Sequence, residues 1–180
     1  MEAIVPRMDA AQSRAWVALV TTAALVPAAL DEQLTRDAGI INFEYGILSV
    51  LNVADDLTVR IGELATTLGV PVPRLSKAVT RLETRGLVER AACPGDGRAI
   101  SVRLTTEGRR VWLRATPPHV ELARDTILGD LDDAELATLG ELLERVIRKL
   151  DPEFALERAL ARRAASSSES AAGAGQPGAD

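Results

Sequence analysis

Sulfur and imidazole are nearly missing from the 180-residue chain, which has one cysteine and one histidine. One cysteine excludes an intramolecular disulfide, and Cys93 with His119 is too little to build a Cys/His zinc site. Aromatic residues make up 3% of the sequence, which argues against a platform for stacking single-stranded bases. There is no glycine-rich phosphate loop, no metal-ligand spacing, and no nucleophile positioned in sequence to work with His119. Neither an enzyme nor a cofactor or metal is therefore expected. The most apolar segment, Ala15 to Leu30, spans 16 residues and carries Thr21, Thr22 and Pro27, short of a membrane-spanning run. Ahead of it, Glu2 and Asp9 offset Arg7 and Arg14, unlike the basic start of a signal peptide. The expectation is a cytoplasmic protein without a membrane partner.

What is present suits a folded, helical chain. Hydrophobic residues reach 47% and charged residues 26%, enough apolar material for a core. From Ala164 to Asp180, 13 of 17 residues are Ala, Ser or Gly. Such a stretch buries too little to offset its ordering entropy and reads as a disordered tail. A first helix is expected over about Ala10 to Arg36, with Trp16, Val20, Ala23, Pro27, Leu30 and Leu34 on a heptad-like seam. Pro27 should kink it. Asn42 reads as the N-cap of a second helix, which carries Phe43, Ile47, Leu48 and Leu51 on one face. A third runs from Ile61 to Leu68 and stops at Gly69. A fourth opens around Pro71 and Pro73 and ends at Gly86.

Strands are expected at Leu87 to Ala92 and Ile100 to Leu104, joined by a turn-rich loop over 93–98. Ile100, Val102 and Leu104 alternate with Ser101 and Arg103, the period of a half-buried hairpin. Thr105 is placed to cap a fifth helix that holds Val111 and Trp112. Pro117 and Pro118 should interrupt it before it resumes at His119. Asp132 and Glu135 have capping-box spacing at the head of a last helix, with Leu136, Leu139, Leu143, Val146, Ile147 and Leu150 turned inward. A short helix, a glycine turn, a second helix and a hairpin make a winged helix-turn-helix. The fold expected is mostly α with a small β-hairpin wing.

Charge is unevenly spread. Thr58 to Arg110 holds ten Lys+Arg against five Asp+Glu, a net of +5 that leaves −10 on the rest. This is the asymmetry of a double-stranded DNA reader built on an acidic scaffold. On the fourth helix Leu75, Ala78, Val79 and Leu82 share one side at about 100° per residue. Arg74, Ser76, Lys77, Thr80, Arg81 and Thr84 take the other, with Glu83 at its edge. Arg and Lys can donate to guanine O6 and N7, and hydroxyls to base or phosphate. At the hairpin tip Gly95 and Gly97 flank Asp96, and Arg98 is positioned to enter a narrow minor groove with Asp96 bracing the loop. The other reading of the same cationic face is a module that docks an acidic protein, and salt-dependent binding to duplex DNA separates the two.

The stretch from Ile61 to Gly108 resembles the MarR (multiple antibiotic resistance regulator) family of bacterial transcription factors. The resemblance rests on Asp96-Gly97-Arg98 followed by a strand and Leu104-Thr105-Thr106-Glu107-Gly108, on RLETRGLVER from Arg81 to Arg90, and on IGELATTLG from Ile61. It implies a homodimer with interlocked terminal helices whose two lobes read a palindromic operator, usually as a repressor. It also implies release by a small aromatic or phenolic compound. In that case Trp16 and Trp112 are natural aromatic walls, Arg60 or Arg85 could meet a carboxylate, and His119 could line the cavity. The implied domains are an N-terminal dimerisation helix over 8–36, a DNA-binding lobe over 42–110, C-terminal dimerisation helices over 111–163 and the tail over 164–180. Two features depart from the family. Pro71, Val72 and Pro73 stand where related recognition helices often begin with Ser or Thr, and Cys93 lies at the wing rather than near the N-terminal helices.

Overall fold

Among the described residues, side chains cap the starts of α-helices at Asp9, Thr105 and Asp132, and glycines follow helix ends at Gly39, Gly69 and Gly86. The computed structural model describes residues 5–93 and 96–151, with 92, 93 and 96–99 described by backbone alone. The expected tail from Ala164 lies outside the described residues. Helix α1 (Ala10–Ala38) opens on a capping box, in which Asp9 accepts from the Gln12 amide and the Gln12 side chain accepts from that of Asp9. It passes through Pro27 as one helix, so the proline does not divide it. Helix α2 (Asn42–Val53) begins differently from expectation. Asn42 is its first residue, and its amide is held by the Asp31 carboxylate at 2.6 Å. Ile41 is the cap, and its own amide is accepted by Glu44.

A short 3-10 turn (Asp55–Leu57) leads into strand β1 (Thr58–Arg60), then α3 (Ile61–Thr67) and α4 (Val72–Thr84). Gly69 and Gly86 follow these two helices at φ +63° and +69°. Both close with the paired bonds of a Schellman ending, Gly69 to Thr66 with Val70 to Ala65, and Gly86 to Glu83 with Leu87 to Leu82. Pro71 caps α4, and Pro73 sits in its first turn, where no intrahelical donor is lost.

Strands β2 (Val88–Cys93) and β3 (Asp96–Leu104) pair antiparallel, with Arg90 opposite Val102 and Cys93 opposite Asp96. The strands thus reach further into the 93–98 stretch than its composition suggested. β1 pairs with the other edge of β3, giving the order β1-β3-β2. The third strand was not anticipated. Alternation along β3 holds from Val102 to Leu104, with Arg103 exposed between them, but fails ahead of Val102, where Ser101, between Arg60 and Ala91, is buried and Ile100 is 44% exposed.

Thr105 caps α5 (Thr106–Glu121) by accepting from the Gly108 amide at 3.0 Å. The helix continues through Pro117 and Pro118, against expectation. Its irregularity comes later, in a wider π-helical turn (Leu122–Ile127) closed by Leu128 on Ala123. Each proline removes its own donor and crowds the carbonyl four residues back, and the change of register follows a few residues later. Helix α6 (Asp133–Leu150) opens on the expected Asp132–Glu135 capping box.

The described chain divides into two compact units whose boundaries fall inside α2, inside α5 and between Asp130 and Leu131, ahead of α6. In one, formed by the chain up to Tyr45 and by Leu113–Asp130, Leu34, Ile40 and Ala115 are buried. In the other, formed by Gly46–Trp112 and the chain from Leu131, the core is Leu48, Leu51, Leu64, Leu75, Val79, Leu82 and Val102, all fully covered. Each such Leu or Val contributes about 1.5–3 kcal/mol. The Trp112 indole donates to Ser49 at 2.9 Å and ties α5 to α2 within this unit. The two terminal helices are mostly uncovered. Leu143, Val146 and Leu150 of α6 are 39%, 40% and 81% exposed, so within one chain they are not turned inward. Trp16, Val20 and Leu25 of α1 are likewise exposed. By length and composition α1 could cross a membrane, with a window of mean hydropathy 1.4. The apolar run counted in the sequence is therefore only part of a longer helix.

Candidate nucleic-acid interface

Helix α4 carries three stripes. Leu75, Ala78, Val79 and Leu82 are buried and fix the helix on its unit. Arg74, Lys77 and Arg81, at i, i+3 and i+7, are exposed along a second stripe, with exposed Thr84 beside it. Ser76, Thr80 and Glu83, at i, i+4 and i+7, form the third, on the flank toward β2.

The third stripe is not simply solvated. Arg90 of β2 reaches across it, donating through Nη2 to the Thr80 hydroxyl at 2.9 Å and to the Ser76 carbonyl at 3.2 Å. Its Nη1 pairs with the Glu83 carboxylate, which also accepts the Arg90 amide at 3.1 Å. Thr80 and Thr84 in turn donate to the carbonyls four residues back, at 3.0 and 2.9 Å. Arg90 and Glu83 were not among the expected site residues. They lie seven apart across the Gly86 turn, a spacing that returns β2 to the helix it has just left.

The N-terminus of α5 locks the same corner. The Thr105 hydroxyl donates to the Gly86 carbonyl at 2.7 Å and lies 3.0 Å from that of Leu87. Gly108 passes so close to Leu87 that a Cβ there would stand 1.9 Å from its carbonyl oxygen. The Leu-Thr-x-x-Gly run thus has a mechanical meaning, a cap followed by a position that excludes a side chain. Asp96 and Arg98 lie in β3, but their side chains are outside the described residues.

The five residues proposed for a ligand are not brought together by either compact unit. Trp16 and His119 belong to the first, Arg60, Arg85 and Trp112 to the second. Arg60 and Arg85 are exposed at the N-cap of α3 and the C-cap of α4. The His119 ring stands 4.3 Å from that of Tyr45, tilted by 43°, and the Tyr45 hydroxyl is 3.2 Å from that of Thr116. Its Nδ1 is buried without a partner, and burial holds the imidazole below its ordinary value of 6.5. Nothing in the sequence marked Tyr45 or Thr116. A surface cavity of 780 Å3 beside β2 and the head of α5 is lined by Asp56, Glu89, Arg103 and Arg109 among others, and by none of the five. Among the described residues no cluster of His, Cys, Asp or Glu could hold a metal.

A helix-turn-helix anchored by one buried face, a cationic second helix and a three-stranded sheet define a winged-helix DNA-binding class of protein. The MarR family matches residues 38–99. Sco3205, a MarR family transcriptional regulator from Streptomyces coelicolor solved in complex with DNA, is 36% identical. The match covers 81% of this chain and 95% of that one at a TM-score of 0.78. AbsC, a MarR family transcriptional regulator from the same organism, is 26% identical, with 83% and 100% covered and a TM-score of 0.77. A mutant of MarR from E. coli, complexed with operator DNA, is 25% identical over 74% of this chain and 96% of that one, at 0.63. The chain belongs to the MarR family of transcriptional regulators.

Proposed function

We propose that the protein is a dimeric, cytoplasmic repressor that reads a palindromic operator in double-stranded DNA and is released by a small aromatic or phenolic ligand. The observation that carries DNA reading is the exposed Arg74, Lys77 and Arg81 stripe on a helix whose opposite side is fully buried. A helix anchored in this way can enter a major groove and present guanidinium and ammonium donors to guanine edges. Thr84 stands beside that stripe, while Ser76 and Thr80 belong to the flank held by Arg90. Arg98, with Asp96 beside it, is proposed to reach the adjacent minor groove. The relatives solved with DNA support the same reading.

Dimerisation is supported by the uncovered apolar faces of α1 and α6 and by an open groove along the head of α6 lined by Leu131, Leu139 and Leu142. A second copy of the chain would cover them, so the apolar length of α1 is read as an interface. Two lobes would then meet half-sites about 34 Å apart. The aromatic effector is supported by the unpartnered Nδ1 of His119 against Tyr45, with Trp16 of the same unit proposed as a further contact. Such a ligand lowers operator affinity by no more than its preference for the DNA-incompetent state.

Selection of duplexes from a random pool, followed by binding of the retained sequence at several salt concentrations, tests the reading. A palindromic consensus and a steep fall of affinity with salt are expected. Retention of no duplex at low ionic strength would instead assign the cationic stripe to an acidic protein surface. Effector binding is tested by the melting temperature in aromatic acids, which a ligand selective for the folded state must raise, and release by the loss of the retained duplex when the same acids are added.

A further inference from the structure

The clasp between α4 and β2 rests on one side chain. Arg90 uses both guanidinium nitrogens on α4, Nη1 on Glu83 and Nη2 on the Thr80 hydroxyl and the Ser76 carbonyl, with the Ser76 hydroxyl at 3.5 Å. Its three contact residues span two turns of the helix. A planar fork held at several points resists both sliding and rotation of the helix against the strand, which a single-point contact cannot do. The same residue sits in the ladder opposite Val102, in the central strand of the wing. One side chain therefore joins the element that would read the major groove to the element that would read beside it.

Its charge is already used. Glu83 neutralises it, and the Arg90 side chain is only 25% exposed. On the other cationic stripe Arg74, Lys77 and Arg81 are exposed. Arg90 is thus built as an internal strut and not as a phosphate ligand, although the +5 segment charge counts it with the rest.

Building on the DNA-reading proposal above, we infer that Arg90 is a positioning residue that sets the distance and phase between the helix's groove contacts and those of the wing. Hydroxyl groups of Ser76 and Thr80, expected to face DNA, serve this strut. The inference concerns how two readings are coordinated, and it predicts a loss confined to that coordination.

The test uses the full chain and the duplex it retains from a random pool, in its full length and shortened at the outer flanks where the wings would lie. For the parent, the full-length duplex binds more tightly. Arg90→Met is expected to erase that advantage, with a loss on the order of tenfold on the full-length duplex and unchanged affinity for the shortened one. Arg90→Lys keeps the charge but loses the fork, and it should behave as Arg90→Met does. It also serves as the readout should Arg90→Met fail to fold. Equal losses on both duplexes would mean that Arg90 touches phosphate or merely supports the fold, and would overturn the inference. Parent-like binding by Arg90→Lys would overturn it too, since charge alone would then suffice. So would a parent that gains nothing from the flanks. A parent that retains no duplex at all sinks the DNA reading itself, and this inference with it.

Discussion

Replacing Gly108 with alanine tests the corner where α4, β2 and α5 meet. The added methyl carbon would stand 1.9 Å from the Leu87 carbonyl oxygen, 2.9 Å from its carbon and 2.8 Å from Leu104 Cδ1. A normal carbon–oxygen contact is about 3.2 Å, so backbone must move by about 1.3 Å, and no flexible side chain can absorb that. Overpacking of this kind costs about 1–3 kcal/mol. The shift also pulls the Gly108 amide from the Thr105 hydroxyl, a cap worth about 0.5–2 kcal/mol. Less the helix-propensity gain of about 0.5 kcal/mol, they predict a destabilisation of about 2.5 kcal/mol for Gly108→Ala. At about 2–4 °C per kcal/mol for a chain of this size, the melting temperature should fall by about 5–10 °C. The assay is calorimetry or urea unfolding at fixed protein concentration, because dimerisation would make the midpoint concentration-dependent. Gly62→Ala is the control. Its new methyl would meet nothing within 4 Å, and a gain of about 0.5 kcal/mol is expected from helix propensity. A Gly108→Ala protein within about 0.5 kcal/mol of the parent would refute the reasoning.

Three other outcomes follow from the same geometry. Arg74→Ala and Lys77→Ala should each cost about 1–3 kcal/mol of binding to the selected duplex and relax its sequence preference, and equal affinity of variant and parent for that duplex would contradict this. Val146→Glu, on the 40% exposed stripe of α6, should yield a smaller sedimenting species if that stripe joins two copies, whereas an unchanged mass would place the interface elsewhere. His119 gives a pH signature. Its folded value lies below that of the unfolded chain, so above pH 6.5 both states are neutral and no stability is lost. As pH falls below that point the unfolded state takes up the proton first, and stability declines until the folded imidazole is also protonated. His119→Phe should remove this part of the acid-side slope when the two unfolding curves are compared, and parallel curves would show that the burial of His119 is not felt.

Local chemistry explains which features were legible in advance. Gly69 and Gly86 end helices because the chain needs a left-handed residue there, and each position was named from spacing alone. Asp132 with Glu135 and the Pro71–Pro73 start are equally local, each acting within a few residues of its own backbone. Thr105 is local only as a cap for the Gly108 amide, since its hydroxyl also reaches the Gly86 and Leu87 carbonyls. The Asp9–Gln12 box is just as local, although in the sequence Asp9 stands out as a charge that, with Glu2, offsets Arg7 and Arg14. Asn42 shows the limit of such readings. Its type suits a cap, yet a carboxylate eleven residues earlier in α1 takes its amide and Ile41 becomes the cap.

By itself, then, the sequence determined the order of the helices, the turn between α3 and α4 and the cationic stripe, since period and capping are properties of neighbouring residues. Tertiary structure decided what depends on distant partners. β1 exists because β3 offers it an open edge, and Arg90 becomes a strut because Gly86 folds β2 back onto α4. It also left the stripe of α6 uncovered within one chain, where the pattern alone had turned it inward. A hydrophobic period reports that a face needs cover, but which surface supplies the cover is set by packing.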